Sequence, residues 1–79
     1  MGGINEVKFG AVVFVGGKHK DQIGYYDDDE GAKAIVYLGA PFQSPCVTVF
    51  RKDIRNVTSL DHEKFKREQP DVCILLGID

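Results

Sequence analysis

Two short runs in this chain carry apolar side chains on both of their faces, and any fold must satisfy that. In Phe9–Val15 an extended backbone puts Phe9, Ala11, Val13 and Val15 on one face and Val12 and Phe14 on the other. In Ala34–Leu38, Ile35 and Tyr37 oppose Val36 and Leu38. A sheet with one solvated face alternates apolar with polar residues. These runs do not, so something must cover the second face. The chain has 79 residues. That is one small domain, burying only ~60–65% of its unfolded surface.

The tail is the candidate cover. Asp61–Gln69 holds helix formers, with Asp61 or Ser59 as N-cap and Phe65 as its one large internal apolar residue. Pro70 ends that helix. Val72–Ile78 then reads Val-Cys-Ile-Leu-Leu-Gly-Ile, an apolar run of strand length. An exposed strand of this kind aggregates. It is expected as an extra strand, packed either on its own barrel or on a neighbouring subunit.

The first sixty residues read as strands separated by turns. Phe9–Val15 stops at Gly16-Gly17. Ile23–Asp27 is short and holds Gly24, which signals a bulge or a close backbone approach. Ala34–Leu38 ends at Gly39-Ala40-Pro41, Cys46–Phe50 begins after Pro45, and Val57–Leu60 is a short fifth run. The turns fall at Gly16–Gln22, Asp28–Lys33, Gly39–Pro45 and Arg51–Asn56. This spacing fits an all-β fold, a small five-stranded antiparallel barrel over residues 1–60. Residues 61–79 form its C-terminal helix and strand extension within a single domain.

The formal net charge is −2 and the isoelectric point about 5.6. Bulk attraction to nucleic acid or an anionic membrane is therefore not expected. No apolar run reaches the ~18–20 residues of a membrane helix. Met1–Glu6 lacks a basic and an apolar region, so no signal peptide is expected, and Glu6 stands where a myristoylation signal wants Ser or Thr. A cytoplasmic location is expected. Cys46 and Cys73 are flanked by apolar residues and lie in no Cys-x-x-Cys pair, so both are expected as buried reduced thiols. With only His19 and His62 beside them, no zinc spacing exists.

At this point the first sixty residues resemble a family. Phe9-Gly10-Ala11-Val12-Val13-Phe14-Val15-Gly16-Gly17-Lys18-His19-Lys20-Asp21-Gln22-Ile23-Gly24 resembles the KOW-type opening of SH3-like barrels. It has a glycine before an apolar strand, a basic glycine-rich turn and a glycine early in the second strand. Asp21 replaces the usual glycine after the basic turn. Val47-Thr48-Val49-Phe50-Arg51-Lys52-Asp53-Ile54 also looks SH3-like, with a strand, a one-turn helical step and an inward Ile54. The resemblance implies a five-stranded SH3-like barrel, which hosts many unrelated tasks. A narrower resemblance is to the plasmid-borne type II dihydrofolate reductases, SH3-like barrels that form a homotetramer around a pore. Gln22-Ile23-Gly24-Tyr25-Tyr26 resembles their second strand, and Val47-Thr48-Val49-Phe50 falls where their pore motif falls. Thr48 and Phe50 replace its glutamine and tyrosine, so this resemblance implies architecture alone. Small barrels would then associate through apolar outer faces.

Several clusters carry candidate chemistry. Asp27-Asp28-Asp29-Glu30 lacks the spacing of a calcium loop and reads as a solvated turn or as the rim that meets a basic partner. Tyr25 and Tyr26 lie beside it, and alternation leaves at most one of them outward. Lys18-His19-Lys20 and Arg51-Lys52-Arg55 are basic loop tips, which in KOW barrels touch RNA phosphates. Phe42 lies in the turn Pro41–Pro45 and is expected to pack on the barrel end. No nucleophile, base and orienting group assemble, since Ser44 and Ser59 have no partner. No catalytic residue, metal site or cofactor is expected.

The expected function is a non-enzymatic binding module for a protein or peptide partner. Its groove would join Tyr25, Tyr26, Asp28, Asp29, Glu30, Phe42, Arg51 and Arg55. One alternative is a homo-oligomeric pore for a small ligand, lined by Thr48 and Phe50. Another is a KOW-like RNA-binding accessory, which the mixed charge disfavours. A homo-oligomer is expected and membrane association is not.

Overall fold

The computed structural model describes residues 7–78. The segment Met1–Glu6, for which neither a signal peptide nor a myristoylation site is expected, lies outside them. A strand β1 (Gly10–Phe14) leads into β2 (Ile23–Glu30), β3 (Lys33–Tyr37) and β4 (Cys46–Phe50) as an antiparallel meander. A 3-10 turn over Arg51–Asp53 then feeds β5 (Ile54–Asn56), which returns to pair with β1. The sheet order is β4-β3-β2-β1-β5, a barrel-like arrangement in which β4 and β5 are the two edges. Two helices follow, α1 (Ser59–Glu68) and α2 (Pro70–Leu75).

Each face of β1 has its own core. Val12 and Phe14 point inward with Tyr26, Ala34, Val36 and Ile54, and Val47 and Val49 pack against them. Val13 points outward with Ile23, where Phe65 of α1 and Cys73 of α2 bury it together with Val57, Val72, Leu76 and Ile78. The tail therefore covers the second face within the same chain.

It does so as a helix, not as the expected extra strand. Pro70 occupies the first turn of α2, where its missing N–H costs nothing and its fixed φ suits a helix. The spacing of Val72, Cys73 and Leu76 places one apolar stripe on the sheet, which a helix can present and a period-two strand cannot. The apolar run alone does not distinguish these two outcomes.

The fifth strand also differs from expectation. It lies at Ile54–Asn56, not at Val57–Leu60, because the 3-10 turn is only three residues long and buried Ile54 already begins the strand. The expected acidic turn at Asp28–Lys33 is instead the far end of β2, with Gly31 in the left-handed region closing a tight hairpin onto Lys33. Gly24 marks a close approach: a Cβ there would lie 2.5 Å from the Tyr37 carbonyl oxygen and 3.0 Å from Phe14 and Val36 atoms. Cys73 is buried as expected, but Cys46 is exposed, since it sits on the outer face of edge strand β4.

Thr58, rather than Asp61 or Ser59, caps α1. Its hydroxyl accepts from the Asp61 N–H at 3.3 Å, and the Thr58 N–H donates back to Asp61 Oδ2 at 2.9 Å, a reciprocal capping box. Arg55 of β5 grips the same carboxylate with two nitrogens, Nη2 donating to Oδ1 at 2.9 Å. This clamp ties the last strand to the covering helix. The Arg55 guanidinium, aided by the Thr58 bonds, holds the Asp61 carboxyl well below the usual carboxylate range. The folded state thus gains stability that is present above an unfolded carboxyl value of ~3.9 and lost as pH falls through the lower folded value. Arg55 is half exposed, so solvent screening limits what the ion pair adds. Replacing Asp61 by Ala should cost about 1–2 kcal/mol at neutral pH. In urea denaturation the gap between the two proteins should narrow progressively below about pH 4. A gap independent of pH would contradict the clamp.

Candidate functional site

The β2 strand changes face in the middle of the acidic cluster. Tyr26 pairs with Val36 but Asp28 pairs with Ile35, so Asp27 is an extra residue, a bulge. Without it Tyr26 and Asp28 would share a face. With it Asp29 comes round to the Tyr26 side, and the Tyr26 hydroxyl donates to Asp29 Oδ1. Arg51 lies 3.8 Å from the same carboxylate and donates to the Gly31 carbonyl at 2.8 Å. The outer face carries Asp28 and Glu30 instead.

The expected groove residues therefore fall in three places. Tyr26, Asp29 and Arg51 form a connected set at the inner edge of the β2–β3 hairpin, with Phe9 against the Tyr26 ring at 4.6 Å. Tyr25, Asp28 and Glu30 stand on the outer face of β2, where Tyr25 pairs across the ladder with Tyr37. Phe42 joins that aromatic pair, its ring 5.3 Å from Tyr37. Arg55 belongs to neither group, being held by Asp61. As alternation required, only one of the adjacent tyrosines is inward: Tyr26 is buried and Tyr25 half-buried. Phe42 is 73% exposed rather than packed on the barrel end. Its φ of +61° is forced by the tight turn in which the Gln43 and Ser44 N–H groups both reach the Ala40 carbonyl. A bulky residue in that region costs of the order of 1–3 kcal/mol.

A cleft of about 400 Å³ opens elsewhere, along the edge of the sheet. Gly16, Gly17, Lys18 and His19 form one wall, and Val47, Thr48, Val49 and Phe50 of β4 form the other, with Lys33 and Asp53 also in the lining. Val47 and Val49 point toward the barrel core while Thr48 and Phe50 point out. A cleft lined by residues of both faces runs along a strand edge, not over a face. The two residues expected at a pore, Thr48 and Phe50, thus line a cleft within one chain.

The backbone of β4 is open along this cleft. The Leu38 N–H donates to the Pro45 carbonyl at 2.9 Å, one step beyond the β3–β4 register. Antiparallel pairs alternate between bonded and non-bonded. The bonded pairs are therefore Val36 with Val47 and Ala34 with Val49, so the N–H and C=O groups of Cys46 and Thr48 point away from β3. Among the described residues no strand pairs with that edge. Sequence reading missed this feature, since which strand lies at the edge is decided by the return of β5 to β1.

The cleft's charges are uneven. Lys33 and Lys52 hold their ammonium groups 4.9 and 5.7 Å from the centre of the half-exposed Phe50 ring. Neither these nor Lys18 makes an ion pair among the described residues, where the salt bridges are Arg51–Asp29 and Arg55–Asp61. Asp53 is turned in against the glycine turn, with Oδ1 2.8 Å from where a Gly16 Cβ would stand. No cluster of three metal-ligating side chains exists among the described residues, and none of their helices is long and apolar enough to cross a membrane. Comparison with protein-family models, curated proteins and solved structures finds no match to this chain.

Burial, reinforced by the hydrogen bond to Asp29, pushes the Tyr26 hydroxyl up to about 12. The shift is upward, so the stability it contributes is complete below the ordinary tyrosine value near ~10 and is lost as pH rises toward 12. Ultraviolet titration of tyrosinate should show one group ionising last, near pH 12, and Tyr26→Phe should remove that step. A variant whose final step persists would place the buried hydroxyl elsewhere.

Proposed function

We propose that this chain is a small SH3-like interaction module that receives an extended peptide segment as a sixth strand on the outer edge of β4. The observation that carries it is the open backbone of Cys46 and Thr48 facing a cleft with its own far wall, Gly16–His19. Strand addition needs such an edge: main-chain bonds supply affinity and pockets for alternate side chains supply selectivity. Two features support the SH3-like reading. The strand order follows the meander-and-return pattern, with a 3-10 step before β5. Asp21, which stands where a KOW-type turn has glycine, has a φ of +70°, the backbone such a glycine would take.

An open edge that is not used is an aggregation hazard, so natural chains blunt it with charge, bulges or cover. Here Cys46, Thr48 and Phe50 are all exposed on β4, and the strand itself carries no charge. A partner that fills the edge accounts for that composition.

Thr48→Pro provides the test. Its outward N–H makes no ladder bond, so proline is tolerated at this edge position while blocking an incoming strand. Panning a displayed random-peptide library should yield peptides that bind the parent protein and lose at least about tenfold in affinity with the variant at an unchanged melting temperature. Equal binding to both proteins contradicts the reading. So does a stable dimer in light scattering that Thr48→Pro dissociates, which would assign the edge to a second copy.

A further inference from the structure

We infer that the segment received at β4 is acidic, with carboxylate side chains alternating with apolar ones. This rests on the strand-addition reading above and extends it to the partner's chemistry. A strand laid along β4 would inherit its two faces. Residues on one face would meet Thr48, Phe50 and Lys33, and those on the other would point toward Val47, Val49 and the barrel seam. The seam side is apolar and partly buried, which suits a small aliphatic side chain.

The outer side is cationic. Lys33 and Lys52 flank the Phe50 ring, and Lys18 reaches the cleft from the opposite wall. Three lysines stand in and around the cleft, against Asp53 in its lining and Glu30, the cross-strand partner of Lys33, and no salt bridge engages any of the three among the described residues. Arg51 is not part of this charge, being held by Asp29 and the Gly31 carbonyl. The cluster is local and set in a chain of net charge −2, so it selects by position rather than by bulk attraction.

The same lysines suit phosphate, but the site as a whole favours peptide. The open N–H and C=O groups of Cys46 and Thr48 match another peptide backbone, and a nucleic acid offers no such ladder.

The test is fluorescence anisotropy with a labelled alternating Glu–Val peptide, its Lys–Val counterpart and poly(U), each with the full chain. The Glu–Val peptide should bind, weaken as salt is added, and bind far more tightly than Lys–Val. Lys33→Glu combined with Lys52→Glu should weaken it about tenfold or more, and the milder Lys33→Gln with Lys52→Gln should weaken it less while leaving the melting temperature unchanged. Arg67→Glu on α1 should leave it unaltered. If Thr48→Pro abolishes peptide binding but the lysine variants do not weaken it, strand addition stands and the acidic class is overturned. Should Thr48→Pro keep full Glu–Val binding, strand addition itself fails and this inference with it. Poly(U) binding that depends on both lysines and ignores Thr48→Pro would assign the site to nucleic acid and overturn the proposal.

Discussion

Val13 must be buried from outside the barrel, and the tail is arranged to do it. This residue sits on a strand whose neighbours Val12 and Phe14 fill the barrel interior, yet it points the other way and is itself buried. A five-stranded sheet of this size cannot hide it. Phe65 and Cys73 do so from the tail, and burying a ring the size of phenylalanine is worth about 2–3 kcal/mol in a domain with little to spare. The capping box at Thr58 and the Arg55–Asp61 clamp set where that tail begins and the direction in which it leaves β5. The chain thus supplies the cover for its second face itself.

That solution is lopsided, and the asymmetry creates the candidate site. The helices lie over β1 and the start of β2, where Val13 and Ile23 need them. At the other end of the sheet, β4 keeps an exposed outer face and an unpaired backbone. The Gly16–His19 turn stands opposite it and turns a bare edge into a cleft. The Asp27 bulge belongs to the same division of labour. It sends Asp29 inward to bind Tyr26 and Arg51, while the lysines near Phe50 make no salt bridge among the described residues.

Much of the fold was legible in the sequence, for reasons that can be named. Alternation along Phe9–Val15 revealed the need for a second cover, and glycine and proline punctuation located β1, β3 and β4 closely and the start of β2. Gly24 signalled the approach of the Tyr37 carbonyl. Three things were not legible. Val72–Ile78 is apolar enough for either a strand or a short helix, and only its stripe against Val13 and Ile23 decides between them. The acidic cluster looks like a turn because four carboxylates repel, but pairing with β3 and the Tyr26–Asp29 bond extend the strand through it. The cleft depends on which strand is left at the edge, a property of the whole sheet that no local motif encodes. For the same reason Tyr26 turns inward while Tyr25 and Phe42 stand on the outer face, and Arg55 is held by Asp61.

The central claim is that β4 is bonded on one side and open on the other, and residue-resolved amide hydrogen exchange in the free protein tests it most directly. The account predicts alternation: slow exchange at Val47 and Val49, whose N–H groups face β3, and fast exchange at Cys46 and Thr48. Uniform protection across these four amides would show that the edge is already occupied, and would contradict the account.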